Sequence, residues 1–289
     1  SDRAGVWGGA PREMTGAPLR LGAVGYLNAR PLVHGLERNP AFSLRFDVPS
    51  ECARLLHERT IDVGLIPSIE FLRGGPYYIV PDLAIASNGP VASVALYTTR
   101  SVSEIRSIAL DTDSRTSVAL VRVLCVRHFK VSPTFNAHVP DLTAMLHAHD
   151  AALLIGDKAL FSETSAVHPA GGRPVMNVQN VQKIDLGSAW KEMTGLPFVY
   201  AFWAGRVNAV PAREVRSLQE ARDAGVTQAE AISRDYFPES PGPQAIAVSY
   251  LRDNIKYSLG EEELAGLREF YRYAAEVGDV AGGADLRFY

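Results

Sequence analysis

The stretch that decides the fold lies near the start of the chain and reads Leu21-Gly22-Ala23-Val24-Gly25-Tyr26-Leu27-Asn28-Ala29-Arg30-Pro31-Leu32. It begins with a short apolar run, turns at Gly25 and then carries the polar side chains of Tyr26, Asn28 and Arg30. Because proline is well tolerated in the first turn of a helix, Pro31 predicts that an amphipathic helix begins there. The pattern therefore predicts a strand, a polar turn and a helix. The turn is expected at the carboxyl end of the strand, where open α/β sheets bind ligands.

An ordinary connection between a strand and a helix would show the same pattern. In that case Tyr26 packs in the core, Asn28 hydrogen-bonds within the turn and Arg30 is solvated. The residues of the turn leave both interpretations open.

The succession of strands and helices continues through the first hundred residues. The alternating segment 43–48 and the compact apolar segment 61–66 predict two further strands, and Ser50 is expected to cap the helix between them. This order predicts a parallel sheet covered on both faces. The long apolar run 91–98 then predicts a strand that crosses to a second lobe.

The next hundred residues repeat the pattern with a core of their own. Segments 107–111 and 151–155 predict strands, and a helix follows the first of them. The apolar strand 198–204 is a second candidate crossing, and the remainder is predicted to be helical. Two α/β lobes with two connections are typical of a two-lobed, type II periplasmic-binding-protein-like fold with a ligand cleft between the lobes. The expected division is a flexible leader at 1–18, lobe 1 at 19–98 and 203–289, and lobe 2 at 99–202.

Composition narrows the class of protein. The chain has 289 residues, of which 47% are hydrophobic and 21% charged, as in soluble globular proteins. A formal net charge of -3 argues against a general nucleic-acid binder. No run of eighteen apolar residues is present, so no membrane partner is expected. Cys52 and Cys125 are predicted to be buried thiols, which favours a cytoplasmic protein.

Four polar segments follow apolar strands and are expected to meet at the cleft: 26–30, 67–68, 87–89 and 114–117. Ser114, Thr116 and Ser117 lie where a helix begins, so that hydroxyls and free backbone N–H groups can converge on a carboxylate. Ser114 or Thr116 can equally cap the helix, and the two roles can coexist. His147 and His149 resemble a metal site only superficially, and neither a metal nor a cofactor is expected.

The string Gly25-Tyr26-Leu27-Asn28-Ala29-Arg30-Pro31-Leu32 resembles the signature of the chorismate dehydratases, enzymes of menaquinone biosynthesis by the futalosine route. Further similar strings are Leu110-Asp111 with 114–117, Ile155-Gly156-Asp157, and the segments 87–94, 185–187 and 194–199. The resemblance extends from about Leu19 into the C-terminal helices. It implies a lyase that converts chorismate to 3-[(1-carboxyvinyl)oxy]benzoate and water without a cofactor, in the two-lobed fold described above.

Chemistry of this kind requires a protein that holds two carboxylates, orients the leaving hydroxyl and excludes water. We expect Asn28 and Ser87 to be catalytic, with Ser87 and Asn88 holding one carboxylate. The expected substrate-binding residues are Tyr26, Arg30, Ser68, Asn88, Gly89, Ser114, Arg115, Thr116, Ser117, Gly156 and Asp157. The base is a substrate carboxylate or Asp157, if the fold turns Asp157 inward. Arg30 and Arg115 can pair with the substrate or tie a loop to a neighbouring acid.

Two other functions stay open. The fold alone favours a receptor that binds and releases a small solute. A sibling enzyme of the same pathway, 1,4-dihydroxy-6-naphthoate synthase, shares the fold, although the strings at 26–31 and 114–117 favour the dehydratase. Oligomeric state is not predicted.

Overall fold

The structure, a computed structural model, describes residues 16–162, 180–283 and 285–289. Most of the predicted leader, residues 1–15, lies outside the described residues. The strands that are described have the following bounds: β1 (Leu19–Val24), β2 (Phe42–Asp47), β3 (Val63–Pro67), β4 (Tyr77–Ile79), β5 (Ile85–Ser87), β6 (Val94–Thr98), β7 (Ser107–Leu110), β8 (Thr134–Ala137), β9 (Ala151–Ile155), β10 (Gln182–Asp185) and β11 (Phe198–Arg206).

The α-helices in the same residues are α1 (Pro49–His57), α2 (Arg115–Leu124), α3 (Leu142–Ala148), α4 (Gly156–Leu160), α5 (Leu186–Thr194), α6 (Ala212–Gly225), α7 (Ala229–Tyr236), α8 (Pro241–Ser249) and α9 (Glu261–Glu276). Short 3-10 segments cover Leu27–Val33 and Ser68–Leu72, and a π-helical segment covers Tyr250–Asn254.

Two sheets form the centres of two lobes, which confirms the predicted two-lobed α/β fold. In the first sheet the strand order is β2-β1-β3-β11-β4, and β5 also pairs with β11. Strand β1 is parallel to β2 and β3, as expected for strands joined through helices. Strand β11, however, runs antiparallel to β3, β4 and β5. The first sheet is therefore mixed: β1, β2 and β3 form the predicted parallel part, and the antiparallel pairing of β11 was not predicted.

The second sheet has the order β10-β6-β9-β7-β8. Strands β8 and β9 are parallel to β7, whereas β6 is antiparallel to β9 and β10. Residues 94–98, assigned above to lobe 1, thus pair within the second sheet, and the whole of β11 lies in the first. The chain passes between the sheets at 88–93 and again within 186–197, which includes α5. A long apolar strand fits either sheet equally well, so only its partners reveal where it belongs.

Two local details differ from expectation. Pro31 does not begin a helix but lies inside the 3-10 segment, whose first turn closes through the Ala29 N–H and the Tyr26 carbonyl at 3.1 Å. Ser50 is not a cap, because α1 already begins at Pro49. The preference of proline for a first helical turn therefore applies to Pro49.

Aromatic side chains join the helices to the first sheet. Trp190 of α5 packs edge-on against Phe198 of β11 and Phe270 of α9, with ring centroids 5.2 and 6.2 Å apart. Trp203 of β11 is fully buried in the core. Cys52 and Cys125 are buried free thiols, as predicted, and burial raises the pKa of each to about 12. Neither thiol is therefore a ready nucleophile.

Candidate active site

A pocket lies between the two sheets, with about 500 Å³ of empty volume including the part open to solvent. Residues of both lobes line it: Val24, Tyr26, Asn28, Pro49, Pro67, Ile85, Val91, Ser93, Val94, Ser114, Ser117, Ile155, Gly156, Tyr200 and Ala201. The walls are mainly apolar, with hydroxyls and one amide among them. This composition suits a small ligand with a few polar groups.

Asn28 follows β1 and reaches the pocket from the 3-10 segment. Its backbone carbonyl accepts a hydrogen bond of 2.7 Å from the Tyr257 hydroxyl. Its side-chain Oδ1 is buried and has no hydrogen-bond partner among the described residues. A buried acceptor without a partner costs free energy, so this oxygen is well suited to receive a donor from a ligand.

The first turn of α2 contributes Ser114 and Ser117 to the pocket wall. Ser114 caps the helix, since its Oγ accepts a hydrogen bond of 3.3 Å from the Ser117 N–H. The two hydroxyl oxygens are 3.0 Å apart. Capping and a place in the pocket thus coexist at Ser114, and a helix N-terminus favours an anion here.

Thr116 faces a different way from its neighbours. Its Oγ1 is fully buried and accepts a hydrogen bond of 3.2 Å from the Ile69 N–H in the first lobe. Ser68, which also does not line the pocket, donates to the Val199 carbonyl at 2.8 Å. Thr116 therefore joins the lobes, whereas Ser68 bonds within the first lobe, and the structure does not bring either hydroxyl to the pocket as expected.

Arg115 also connects the lobes. Its guanidinium lies 3.3 Å from the Glu70 carboxylate, which is buried in the first lobe. Glu70 contacts His57 at 2.8 Å and Arg73 at 3.1 Å as well. Arg115 thus pairs with an acid of the other lobe. This is the structural role that the sequence allowed as an alternative to pairing with the substrate.

The segment 87–89 lies behind the pocket wall. Ser87 Oγ donates to the Gly89 carbonyl at 3.0 Å and lies 2.9 Å from the Tyr200 hydroxyl, which lines the pocket. Asn88 is exposed and accepts a hydrogen bond of 2.7 Å from Lys191. Ser87 can therefore reach a ligand through Tyr200, whereas Asn88 points to a surface lysine and not to the pocket.

Gly156 and Asp157 follow β9 and have different environments. Gly156 lines the pocket with φ of +65°, and a Cβ there would lie 3.0 Å from the ring of Tyr26. Asp157 does not line the pocket. Its carboxylate accepts hydrogen bonds from the Leu27 N–H, at 3.4 Å, and from the Tyr236 hydroxyl, both in the first lobe. Burial raises the pKa of Asp157 above its usual range in spite of these donors.

Arg30 packs outside the pocket, between two aromatic rings. Its guanidinium carbon lies 4.7 Å from the ring centroid of Phe46 and 5.3 Å from that of Tyr236. It also donates to the Gly25 carbonyl at 3.3 Å. These contacts give Arg30 the structural role that sequence left open, and cation–π packing explains why an arginine stands there.

Tyr26 forms part of the pocket wall, as expected. Its hydroxyl lies 3.5 Å from the Asp113 carboxylate. Burial, followed by the charges of Asp113 and Asp111, raises the pKa of Tyr26 well above its usual value. The phenol therefore stays protonated and can act only as a hydrogen-bond donor or neutral acceptor.

Ser93 and Tyr200 line the pocket although neither was predicted as a site residue. Ser93 lies within the string 87–94, and Tyr200 lies in the apolar strand β11, where the sequence allows its ring to line an aromatic pocket but gives it no binding role. Within residues 16–162, 180–283 and 285–289, no group of three or more His, Cys, Asp and Glu side chains is arranged to hold a metal ion. None of the helices in these described residues is long and apolar enough to cross a membrane.

Comparison with known proteins assigns the chain to a family. The model of the menaquinone biosynthesis family matches residues 19–276. The chain belongs to this family. The chorismate dehydratase of Thermus thermophilus is 32% identical over 262 residues, which cover 88% of this chain and 94% of that protein. The chorismate dehydratase of Campylobacter jejuni is 32% identical over 177 residues, which cover 61% of this chain and 58% of that protein.

Solved structures support the fold of this menaquinone biosynthesis family member. The protein AF1704 from Archaeoglobus fulgidus has a TM-score of 0.67 at 14% identity, covering 92% of this chain and 100% of that one. The alkanesulfonate-binding protein SsuA from Xanthomonas axonopodis, bound to MOPS, has a TM-score of 0.64 at 14% identity, covering 92% and 95%. At such low identity these similarities show the periplasmic-binding-protein fold alone.

Proposed function

We infer that the protein is a chorismate dehydratase of menaquinone biosynthesis, which converts chorismate to 3-[(1-carboxyvinyl)oxy]benzoate and water. The observation that carries this inference is the buried, unpartnered Asn28 Oδ1 in the pocket wall. This asparagine belongs to the string that resembles the family signature. The similarity to the Thermus thermophilus enzyme over nearly its whole length supports the same conclusion.

Chorismate offers one group that fits this acceptor. At neutral pH both of its carboxyl groups are ionised and only accept hydrogen bonds, so the C4 hydroxyl is its one O–H donor. That hydroxyl is also the leaving group. We propose that it donates to Asn28 Oδ1, which would orient the C4–O bond for cleavage.

The carboxylates are proposed to bind neutral donors. One would lie at the N-terminus of α2, with the hydroxyls of Ser114 and Ser117. The other would lie beside Tyr200, whose proton Ser87 accepts while Ser87 itself donates to Gly89; to donate to the carboxylate, the Tyr200 O–H would turn from Ser87 to the ligand. Tyr26, held protonated by burial and by nearby acids, would supply a wall and a further donor.

The proton acceptor is proposed to be a carboxylate of chorismate itself. Asp157 lies outside the pocket wall and its oxygens accept hydrogen bonds from the first lobe, which favours a substrate carboxylate over Asp157 as the base. The substrate carboxylate would take the C3 hydrogen, the electron pair of that bond would complete the aromatic ring, and the C4–O bond would break. Hydroxide and the proton leave together as water.

The test combines the purified protein with chorismate and follows the products by chromatography and mass spectrometry. We expect loss of one water and formation of the aromatic enolpyruvyl ether. The Asn28→Ala variant should fold normally and turn over about 100-fold more slowly, as is typical for loss of one polar contact in the transition state. Wild-type turnover in that variant would remove Asn28 from the mechanism.

The same experiment separates the alternative functions. Tight binding of chorismate without any product would favour a solute receptor, as the fold alone permits. Neither binding nor reaction would favour the sibling synthase, which acts on another substrate of the pathway. A cytoplasmic location also stays a proposal.

A further inference from the structure

Asp157 reaches across the cleft to the segment that carries Asn28. It lies in the first turn of α4, directly after the pocket residue Gly156 of the second lobe. One carboxylate oxygen accepts a hydrogen bond of 3.4 Å from the Leu27 N–H, and the other accepts from the Tyr236 hydroxyl. Both donors belong to the first lobe. A single side chain of the second lobe therefore holds the residue that precedes Asn28.

The Leu27 N–H needs an acceptor from outside its own segment. Leu27 is the first residue of the 3-10 segment Leu27–Val33, and the first N–H groups of a helix have no partner within it. The side chain of the residue before a helix often accepts from such a group. That residue is Tyr26 here, and its side chain makes no capping hydrogen bond. The segment is thus capped by a carboxylate of the opposite lobe.

The two ends of Asn28 are held by different lobes. Its backbone carbonyl accepts from the Tyr257 hydroxyl at 2.7 Å, a contact within the first lobe that does not depend on the approach of the second. The N–H just before it is held by Asp157, a contact that exists only while the lobes are together. The position of the Asn28 segment is therefore completed when the lobes close.

Gly156 allows the two segments to meet. Its φ is +65°, and a Cβ there would lie 3.0 Å from the ring of Tyr26. A side chain at this position would strain the backbone and crowd that ring. Without one, Tyr26 packs on Gly156 while Leu27 bonds to Asp157, so that consecutive residues of the first lobe fit consecutive residues of the second.

We propose that Asp157 is a positioning residue, which fixes the segment of Asn28 when the lobes close and so completes the acceptor for the C4 hydroxyl of chorismate only in the closed cleft. This inference rests on the proposed function. Asp157 itself does not touch the substrate and takes no proton from it. Closure of the lobes then does more than enclose chorismate, because it also assembles the group that orients the leaving hydroxyl.

The test is the Asp157→Asn variant, which keeps the size of the side chain but leaves one acceptor oxygen for two donors. We expect kcat for chorismate to fall about tenfold with KM within about twofold, because the carboxylate donors of α2 are unchanged. The matched control is Asp279→Asn. Asp279 also joins the lobes, since its carboxylate lies 3.2 Å from the Arg122 guanidinium, and neither of these residues lines the pocket. This control should leave kcat within about twofold of wild type.

A double-mutant cycle shows whether Asp157 acts through Asn28. In the Asn28→Ala background, Asp157→Asn should cost less than about twofold in kcat, since the group it positions is gone. Equal losses in both backgrounds, or a kcat no lower than that of the Asp279→Asn control, would overturn the proposal.

A second variant covers the case in which Asp157→Asn does not fold. Tyr236→Phe removes one donor to the same carboxylate and replaces Asp157→Asn in the cycle, where it should lower kcat about threefold only while Asn28 is present. Equal losses with and without Asn28 would again overturn the proposal. A wild-type protein that leaves chorismate unchanged would instead overturn the proposed function itself, and this inference with it.

Discussion

Two buried carboxylates bridge the lobes, and their pKa values move in opposite directions. Glu70 of the first lobe pairs with Arg115 of the second, while Asp157 of the second lobe accepts hydrogen bonds from Leu27 and Tyr236 of the first. Burial disfavours the charged form of both. Around Glu70, the hydrogen bond from His57 and the charges of Arg115 and Arg73 prevail and lower its pKa to about 2.

Asp157 has no such set of cations. Its donors are a hydroxyl and a backbone N–H, and Arg30 acts on it only weakly, so burial prevails and its pKa is raised. Glu70, the more deeply buried of the two, is thus an anion, and the partly buried Asp157 is the acid that protonates more readily. The charges of the neighbours, more than depth in the protein, decide which bridge depends on pH.

The largest effect is expected when the charge of the Glu70 bridge is removed. Glu70→Gln leaves its arginine partners without their carboxylate, and the lowered pKa corresponds to up to about 3 kcal/mol of the free energy of unfolding. Urea denaturation at pH 7 measures the loss. A matched control is Glu276→Gln, which removes a more exposed carboxylate paired with Arg272 and should cost less than about 1 kcal/mol. Equal losses in the two variants would show that the Glu70 bridge contributes no more than a surface pair.

The Glu70 bridge should also stabilise the protein less as the pH falls. Because the pKa of Glu70 is lower in the folded protein than in the unfolded chain, its contribution is present above about pH 4.5 and is lost as the pH falls toward 2. The difference in unfolding free energy between wild type and Glu70→Gln should therefore shrink over that range. A difference that stays constant down to pH 2 would contradict the lowered pKa.

The Asp157 bridge should respond to acid in the opposite sense and with a smaller effect. Its pKa is higher in the folded protein, so protonation favours folding, and the penalty of the buried charge disappears as the pH falls through the raised pKa. Asp157→Asn carries no charge at any pH. The melting temperature of wild type relative to this variant should therefore rise between pH 7 and pH 4. A relative melting temperature that falls over this range would show that Asp157 is stabilised as an anion.

The sequence predicted the residues of the pocket better than it predicted the Glu70 and Asp157 bridges. Tyr26, Asn28, Ser114, Ser117 and Gly156 reach the pocket because each lies in the segment that follows a strand, and the ends of strands can be predicted from apolar runs. The alternation of strands and helices also predicted the parallel strands β1, β2 and β3 of the first sheet. It did not predict the antiparallel strands, because pairing depends on partners far away along the chain.

Two neighbouring residues on one helix turn show why the sequence could not predict which of the candidate side chains face the pocket. Thr116 and Ser117 are adjacent in α2, yet Thr116 faces the first lobe and Ser117 faces the pocket. Successive residues on a helix point about 100° apart, and only packing fixes the rotation of the helix.

The smallest effect is expected for Arg115→Gln, which removes the link between lobes but leaves the Glu70 carboxylate in place. Arg115 is partly exposed, and His57 and Arg73 stay in contact with Glu70. The loss should therefore be about 0.5 kcal/mol in urea denaturation, well below that of Glu70→Gln. If Arg115→Gln instead cost as much unfolding free energy as Glu70→Gln, the Arg115–Glu70 pair alone would account for the contribution of Glu70 to stability. A small loss means that Glu70 is stabilised mainly from within its own lobe, so that the contact across the cleft can break while the carboxylate stays ionised.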